Sequence, residues 1–241
     1  MNRLMMTTAA LTFALAGNAA NLYMAGDSTL HSRKVTKPGA GIEETCLGSW
    51  GDELENYVKP GVKIVNLAMS GRSTKSFIDE GRWDKLIKQV QSGDYVFIQF
   101  GHNDQKKNKP KVYAAADGAY RENLTRFAKE VRAKGGKPVF GTSMVRRTFD
   151  KQGKVRDGLG AYPETVRKLG KELGVPVVDM NAFTRKKVEA TPQEESIKWY
   201  RASVNKTDFT HPTKEGAKVF AKLFVDDVKQ NKLELAELFK E

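Results

Sequence analysis

The stretch Leu22-Tyr23-Met24-Ala25-Gly26-Asp27-Ser28-Thr29-Leu30 is a short apolar run that stops at a glycine and two polar residues. A continuous apolar run of this length reads as a strand covered on both faces, and the Gly-Asp-Ser that follows reads as the loop at its end. Asp-Ser pairs are also ordinary turn and N-cap chemistry. Ser28 therefore gains chemical meaning only if the rest of the chain brings a base, an orienting carboxylate and hydrogen-bond donors to the same place.

Four further runs rich in β-branched and aromatic residues follow: Val62–Leu67, Tyr95–Phe100, Pro138–Gly141 and Val175–Val178. Helical spacing fills the intervals, over Trp50–Val58, Trp83–Val90, Tyr120–Lys134 and Tyr162–Leu173. A last helix is predicted from about Thr213 to Gln230, with Ala217, Phe220, Ala221, Phe224 and Val228 on one stripe. Strands alternating with helices predict an α/β protein whose five-stranded parallel sheet is covered on both sides. Gly135-Gly136 and Gly174 fall where helix C-caps hand over to strands. No repeat or Pro-rich linker divides residues 21–241, which read as a single domain. The segment from Asn181 to Lys206 has no boundary that the pattern fixes.

Function in an open parallel sheet collects beyond the carboxyl ends of its strands. There the chain puts Asp27-Ser28, then Ser70-Gly71-Arg72, then Gly101-His102-Asn103-Asp104, then Thr142-Ser143-Met144-Val145-Arg146. Asp208-Phe209-Thr210-His211 stands directly before the last helix. A serine nucleophile needs a base that accepts its proton and returns it to the leaving group, and histidine suits that near neutral pH. Asp208, three residues before His211, is near enough in a tight turn to hold one ring nitrogen and leave the other for Ser28. Gly71, Asn103 and the N–H of Ser28 are the candidate donors to a developing oxyanion. Of the other histidines, His31 is expected to point to solvent or pack locally. His102 reads either as a neighbour of the chemistry or as a residue fixing the loop for Asn103.

Composition narrows the function classes. Residues 1–20 hold one charge, Arg3, then an apolar stretch and small residues, the pattern of a secretory signal peptide too short to span a membrane. A secreted or periplasmic protein is the expectation. The single Cys46 leaves no internal disulfide and reads as a partly buried free thiol. The formal charge of +12 is spread along the chain, which favours a polyanionic partner. No nucleic-acid motif accompanies it, so an acidic glycan fits an exported protein better. Three histidines and one cysteine give no zinc-hydrolase spacing, and neither a metal nor an organic cofactor is expected. One metal alternative would use Asp27, Asn103, Asp104 and His211. The G-x-S-x-G elbow of the α/β-hydrolases is absent.

Gly26-Asp27-Ser28, Gly71, Gly101-His102-Asn103-Asp104 and Asp208-Phe209-Thr210-His211 together resemble, in order, the four blocks of the SGNH subgroup of GDSL esterases. Within that group the chain is similar to the rhamnogalacturonan acetylesterases, carbohydrate esterase family 12. Tyr23–Thr29, Gly71–Phe77, Glu80–Trp83 and above all Gly93–Asp104 carry that likeness. The resemblance implies a flavodoxin-like three-layer α/β/α sandwich and removal of O-acetyl groups from pectic polysaccharide. It implies Ser28, Asp208 and His211 as the catalytic triad, with Ser28, Gly71 and Asn103 as the oxyanion hole. Arg72, His102 and Arg146 are the candidate substrate-binding residues, with Lys106 a further cation at the cleft rim. The same machinery would also serve acetylated xylan or other short-chain esters, and a non-catalytic glycan-binding protein is the alternative of a different class. Asp157-Gly158-Leu159-Gly160 departs from the family pattern, which has a histidine-glycine pair in many relatives.

Overall fold

The structure, a computed structural model, describes residues 20–34 and 39–241. The expected signal peptide lies outside the described residues. Five parallel strands, β1 (Leu22–Gly26), β2 (Ile64–Asn66), β3 (Tyr95–Gln99), β4 (Lys137–Gly141) and β5 (Val177–Val178), form one sheet in the order β2-β1-β3-β4-β5. Each sits within or against an apolar run of the sequence. The chain winds outward from β1 in both directions, so the sheet has its topological switch point between β1 and β3.

Successive β1 side chains enter opposite layers, as strand geometry dictates. Leu22 and Met24 join Trp50, Phe97 and Phe224 on one side, while Tyr23 and Ala25 join Trp83, Ile98 and Phe127 on the other. Past the single turn of α1 (Ile42–Thr45), the first layer is closed by α2 (Trp50–Glu53) and α10 (Lys214–Gln230), and the second by α4 (Arg82–Ile87), α5 (Ala119–Ala133) and α6 (Tyr162–Leu173). Trp50, Phe97 and Phe224 meet with ring centroids 5.1–5.6 Å apart, and Trp83 stacks on Phe127 at 3.9 Å. Each such fully buried ring contributes about 2–3 kcal/mol of burial free energy, so these clusters hold both layers to the sheet.

One local expectation is corrected, and two stretches that the sequence left unread take definite form. The helix expected over Trp50–Val58 is α-helical only to Glu53 and tightens into a 3₁₀ turn at Leu54–Asn56. Thr74–Asp79 forms a short helix, α3, that apolar periodicity does not announce; Ser73 and Ser76 close its first turn as a reciprocal capping box. The undefined segment is helical in pieces: α7 (Met180–Glu189), α8 (Gln193–Ser196), a 3₁₀ turn at Ile197–Trp199, and α9 (Ala202–Asn205). Among the described residues no helix is long and apolar enough to cross a membrane.

Candidate active site

The strand ends at the switch point build the site. Gly26 ends β1 so close to β3 that a Cβ there would lie 2.8 Å from the Gln99 carbonyl oxygen and from Leu30. The chain then turns, with Leu30 N–H and His31 N–H both donating to the Asp27 carbonyl. Ser28 is left at the surface of this turn, half-buried between the buried Asp27 and Thr29. Asp27 fixes the turn from inside: its Oδ1 accepts the N–H and the hydroxyl of Thr29, each at 3.0 Å. Gln99 on β3 donates in turn to Thr29 Oγ1 at 3.0 Å.

Asp208 and His211 come from the loop that precedes α10. Asn205 Oδ1 accepts the N–H groups of Thr207 and Asp208, and Asp208 Oδ1 accepts those of Thr210 and His211, all at 3.0–3.1 Å. These nested turns leave Asp208 Oδ2 facing the imidazole, where it accepts from His211 Nδ1 at 2.7 Å. His211 Nε2 then stands 2.8 Å from Ser28 Oγ. Since the carboxylate holds the ring proton on Nδ1, Nε2 is the acceptor toward the hydroxyl. Burial alone would raise the Asp208 pKa, but the His211 bond and charge and the two N–H donors outweigh it and hold it below the usual carboxylate range.

Gly71 and Asn103 reach the same cleft. Met69 N–H donates to the Gly26 carbonyl at 3.0 Å, which ties the segment after β2 to the end of β1. Gly71 has a φ of +78°, a conformation that favours glycine. Among the described residues, neither its N–H nor that of Ser28 donates to a protein acceptor. Asn103 Nδ2 donates to the Arg72 carbonyl at 2.9 Å, while Lys106 Nζ donates to Asn103 Oδ1 at 2.6 Å. One Nδ2 proton stays uncommitted, and the ammonium on the amide oxygen strengthens it as a donor. Behind this wall Asp104 is buried, its Oδ1 accepting from Thr74 N–H at 2.9 Å and Thr74 Oγ1 at 2.6 Å. Burial lifts the Asp104 pKa to about 7.

The three candidate substrate-binding residues fall elsewhere than at the cleft lining. Arg72 turns its Nε to both oxygens of Glu80, at 3.0–3.1 Å. Arg146 donates to Thr210 Oγ1 at 2.5 Å and supports the loop that carries His211. The unusual Asp157–Gly160 turn backs that arginine: a Cβ on Gly158 would lie 3.2 Å from Arg146 Cδ. His102 is buried with neither ring nitrogen hydrogen-bonded among the described residues, and burial, followed by the nearby Arg146 charge, pushes its pKa well down. His31, expected to point outward or pack locally, donates from Nδ1 to the Ala68 carbonyl at 2.9 Å and lines the cleft. The cations that do line it are Arg33, Lys106 and Arg201, in a cavity of about 540 Å³. Arg33 and Arg201 escaped the sequence reading because an isolated arginine in a polar loop carries no pattern. Asp27 and Asp104 spend their Oδ1 atoms on threonines, and among the described residues no group of three or more His, Cys, Asp or Glu side chains is arranged for a metal. Cys46 is a free, partly exposed thiol near Glu43, outside the cleft lining.

A serine, a histidine and an aspartate hydrogen-bonded in series, beside donors with free capacity at the switch point of a parallel sheet, form the arrangement of a serine hydrolase. The family model of the GDSL-like lipases and acylhydrolases matches residues 24–219, and the chain belongs to that family, as a carboxylic ester hydrolase. The rhamnogalacturonan acetylesterase RhgT of Bacillus subtilis is 36% identical over 90% of this chain and 92% of its own length. A probable rhamnogalacturonan acetylesterase of the same organism, YesY, is 29% identical over 91% and 97%. Among solved structures, the B. subtilis protein YxiM superposes with a TM-score of 0.76 at 22% identity, over 89% of this chain and 57% of that one. A catalytic mutant of Axe2, an acetylxylan esterase from Geobacillus stearothermophilus, superposes at 0.64 and 21%, over 88% and 95%. These two likenesses establish the fold.

Proposed function

We propose that the protein is an exported acetylesterase that removes O-acetyl groups from an acidic pectic polysaccharide, rhamnogalacturonan. The ester chemistry rests on the Ser28–His211–Asp208 hydrogen-bond series, and the glycan on similarity to an enzyme named for that substrate over nine-tenths of the chain. As Ser28 Oγ bonds to the acetyl carbonyl carbon, its proton passes to His211 Nε2. The oxyanion forms against the N–H groups of Ser28 and Gly71 and the Asn103 amide. Collapse breaks the bond to the sugar oxygen, which leaves with the proton from His211. Water then attacks the acetyl-enzyme, His211 takes its proton and returns it to Ser28, and acetate departs. Asp208 keeps the imidazole in the required tautomer and faces the positive charge that forms on it.

The test is acetate release from acetylated rhamnogalacturonan and from a small neutral acetyl ester, by the wild type and by Ser28→Ala. The wild type should act on both, and the variant should lose at least about a thousandfold on each. Release from acetylated xylan but not from rhamnogalacturonan would replace the substrate while keeping the mechanism. Equal activity of the variant and the wild type would overturn the mechanism itself, and binding of the glycan without acetate release would point to the non-catalytic reading.

A further inference from the structure

The cleft beside Ser28 holds two guanidinium groups that take no part in the proton transfers of the ester chemistry. Arg33 Nη2 reaches the Ser28 carbonyl at 3.4 Å and Ser70 Oγ at 3.3 Å, both long, weak bonds. Its Nε is buried with no partner, and no carboxylate lies within ion-pairing distance among the described residues. Arg201 closes the other part of the same lining. Its Nη2 donates to Glu43 Oε2 at 3.2 Å, its Nη1 lies 3.5 Å from Asp208 Oδ2, and its Nε is also buried and unpartnered. Of the residues lining the cleft, Glu44 is the one acid against Arg33, Arg201 and Lys106. Lys106 is already committed to Asn103.

Two arginines turned toward one partly enclosed space repel each other; burial first, and then the Arg201 charge, lowers the pKa of Arg33. An anion between them would relieve that repulsion and accept from the guanidinium Nη groups on the cleft side, since both Nε atoms are buried out of a ligand's reach. A planar guanidinium matches a carboxylate with paired N–H···O bonds, which a lysine cannot do. Arg33 Nη2 lies 3.4 Å from the Ser28 carbonyl oxygen, so a carboxylate held on that guanidinium sits beside the nucleophile.

We propose that Arg33 and Arg201 form a carboxylate subsite that takes the uronate of the glycan whose acetyl ester lies over Ser28. The subsite deepens the glycan reading above and rests on it for the identity of the carboxylate. Arg33 is the principal ligand, because Arg201 also supports Asp208 whereas Arg33 makes no ion pair among the described residues, its nearest acids Asp52, Glu44 and Asp208 acting only at a distance.

The experiment reads the subsite without requiring the polymer as substrate. Hydrolysis of the small neutral acetyl ester is measured with unacetylated oligogalacturonate as inhibitor, and in parallel with the same oligomer after methyl esterification of its carboxyls. The free acid should inhibit competitively, with an inhibition constant about tenfold below that of the methyl ester. Arg33→Gln should reduce that preference to less than about threefold, and Arg33→Lys should keep part of it. Should Arg33→Gln fail to fold, the wild-type comparison and Arg33→Lys still decide. Equal inhibition by both oligomers, no inhibition by the free acid, or a full preference in Arg33→Gln would overturn the subsite. If acetylated rhamnogalacturonan is not deacetylated yet the acid preference stands, the polymer assignment fails and the subsite survives. Deacetylation with no acid preference leaves the esterase reading intact and removes the subsite.

Discussion

Asp208→Asn isolates the orienting role of the carboxylate at nearly constant shape, and the structure bounds its effect from both sides. In one orientation the new Asn keeps Oδ1 on the N–H groups of Thr210 and His211 and presents its NH₂ where Oδ2 now accepts from Nδ1. The imidazole then moves its proton to Nε2, which donates to Ser28 Oγ and no longer accepts from it. Loss of the base in this way costs about four orders of magnitude in kcat, close to 5.5 kcal/mol. In the flipped orientation the tautomer is preserved, but the NH₂ group faces the two backbone N–H groups and both bonds are lost. At about 1 kcal/mol each, that form is populated at roughly one part in thirty or less. The expected loss in kcat/KM on a small neutral acetyl ester therefore lies between about thirtyfold and ten-thousandfold. Thermal melting recorded on the same sample separates chemistry from folding. A loss below about tenfold with an unchanged melting point would refute the tautomer argument and require another group to hold His211.

Two further outcomes follow from the wall opposite the triad. Lys106→Met removes the ammonium from Asn103 Oδ1, and kcat on the neutral ester should fall by about tenfold with less change in KM; an unchanged kcat would show that the amide needs no such polarisation. Asp104 is held near 7 against an ordinary value of 3.8, so between these pH values the folded protein keeps a proton that the unfolded chain releases. The Asp104 contribution to stability is accordingly lost as pH rises from 4 to 7, and Asp104→Asn should make the slope of the melting temperature across that window more positive than in the wild type. The wild-type slope is a sum: burial also lifts Asp227, to about 6, which adds to the fall, whereas the buried His102, held well below the ordinary histidine value, contributes stability that grows with pH. Identical slopes for the wild type and Asp104→Asn would contradict the placement of Asp104.

Much of this fold is legible in the sequence because parallel strands are apolar on both faces and need no partner to be recognised. Every strand coincides with a run rich in apolar residues, and the polar residues after those runs meet at one edge of the sheet. Ser28, Asp208 and His211 are brought together because each has a short-range reason to stand at a strand or helix end. Helix α3 escapes because six residues with a serine capping box present too little apolar spacing to be seen. The arginines mark the deeper boundary. Arg72 and Arg146 look equivalent to Arg33 and Arg201 in a string of letters, yet Glu80 and Thr210 engage the first pair while the second pair lines the cleft. That sorting depends on where loops fold back, which no local pattern records. The break of Trp50–Val58 into a 3₁₀ turn belongs to the same class, set by packing and not by propensity.

The two hydrogen bonds of the triad differ in what guarantees them. Asp208 and His211 are three residues apart in one capped turn, whereas His211 and Ser28 are separated by 183 positions and meet only because β1 and α10 share a core. The acid and base can thus travel as a cassette: loops elsewhere may lengthen, shorten or change chemistry without altering their mutual distance. The serine–histidine gap is instead a gauge of the whole molecule, closed only when the N-terminal strand and the C-terminal helix are both in register. A chain in which α10 has not yet docked against the sheet holds a nucleophile with no base, and is silent toward esters until that helix is in place.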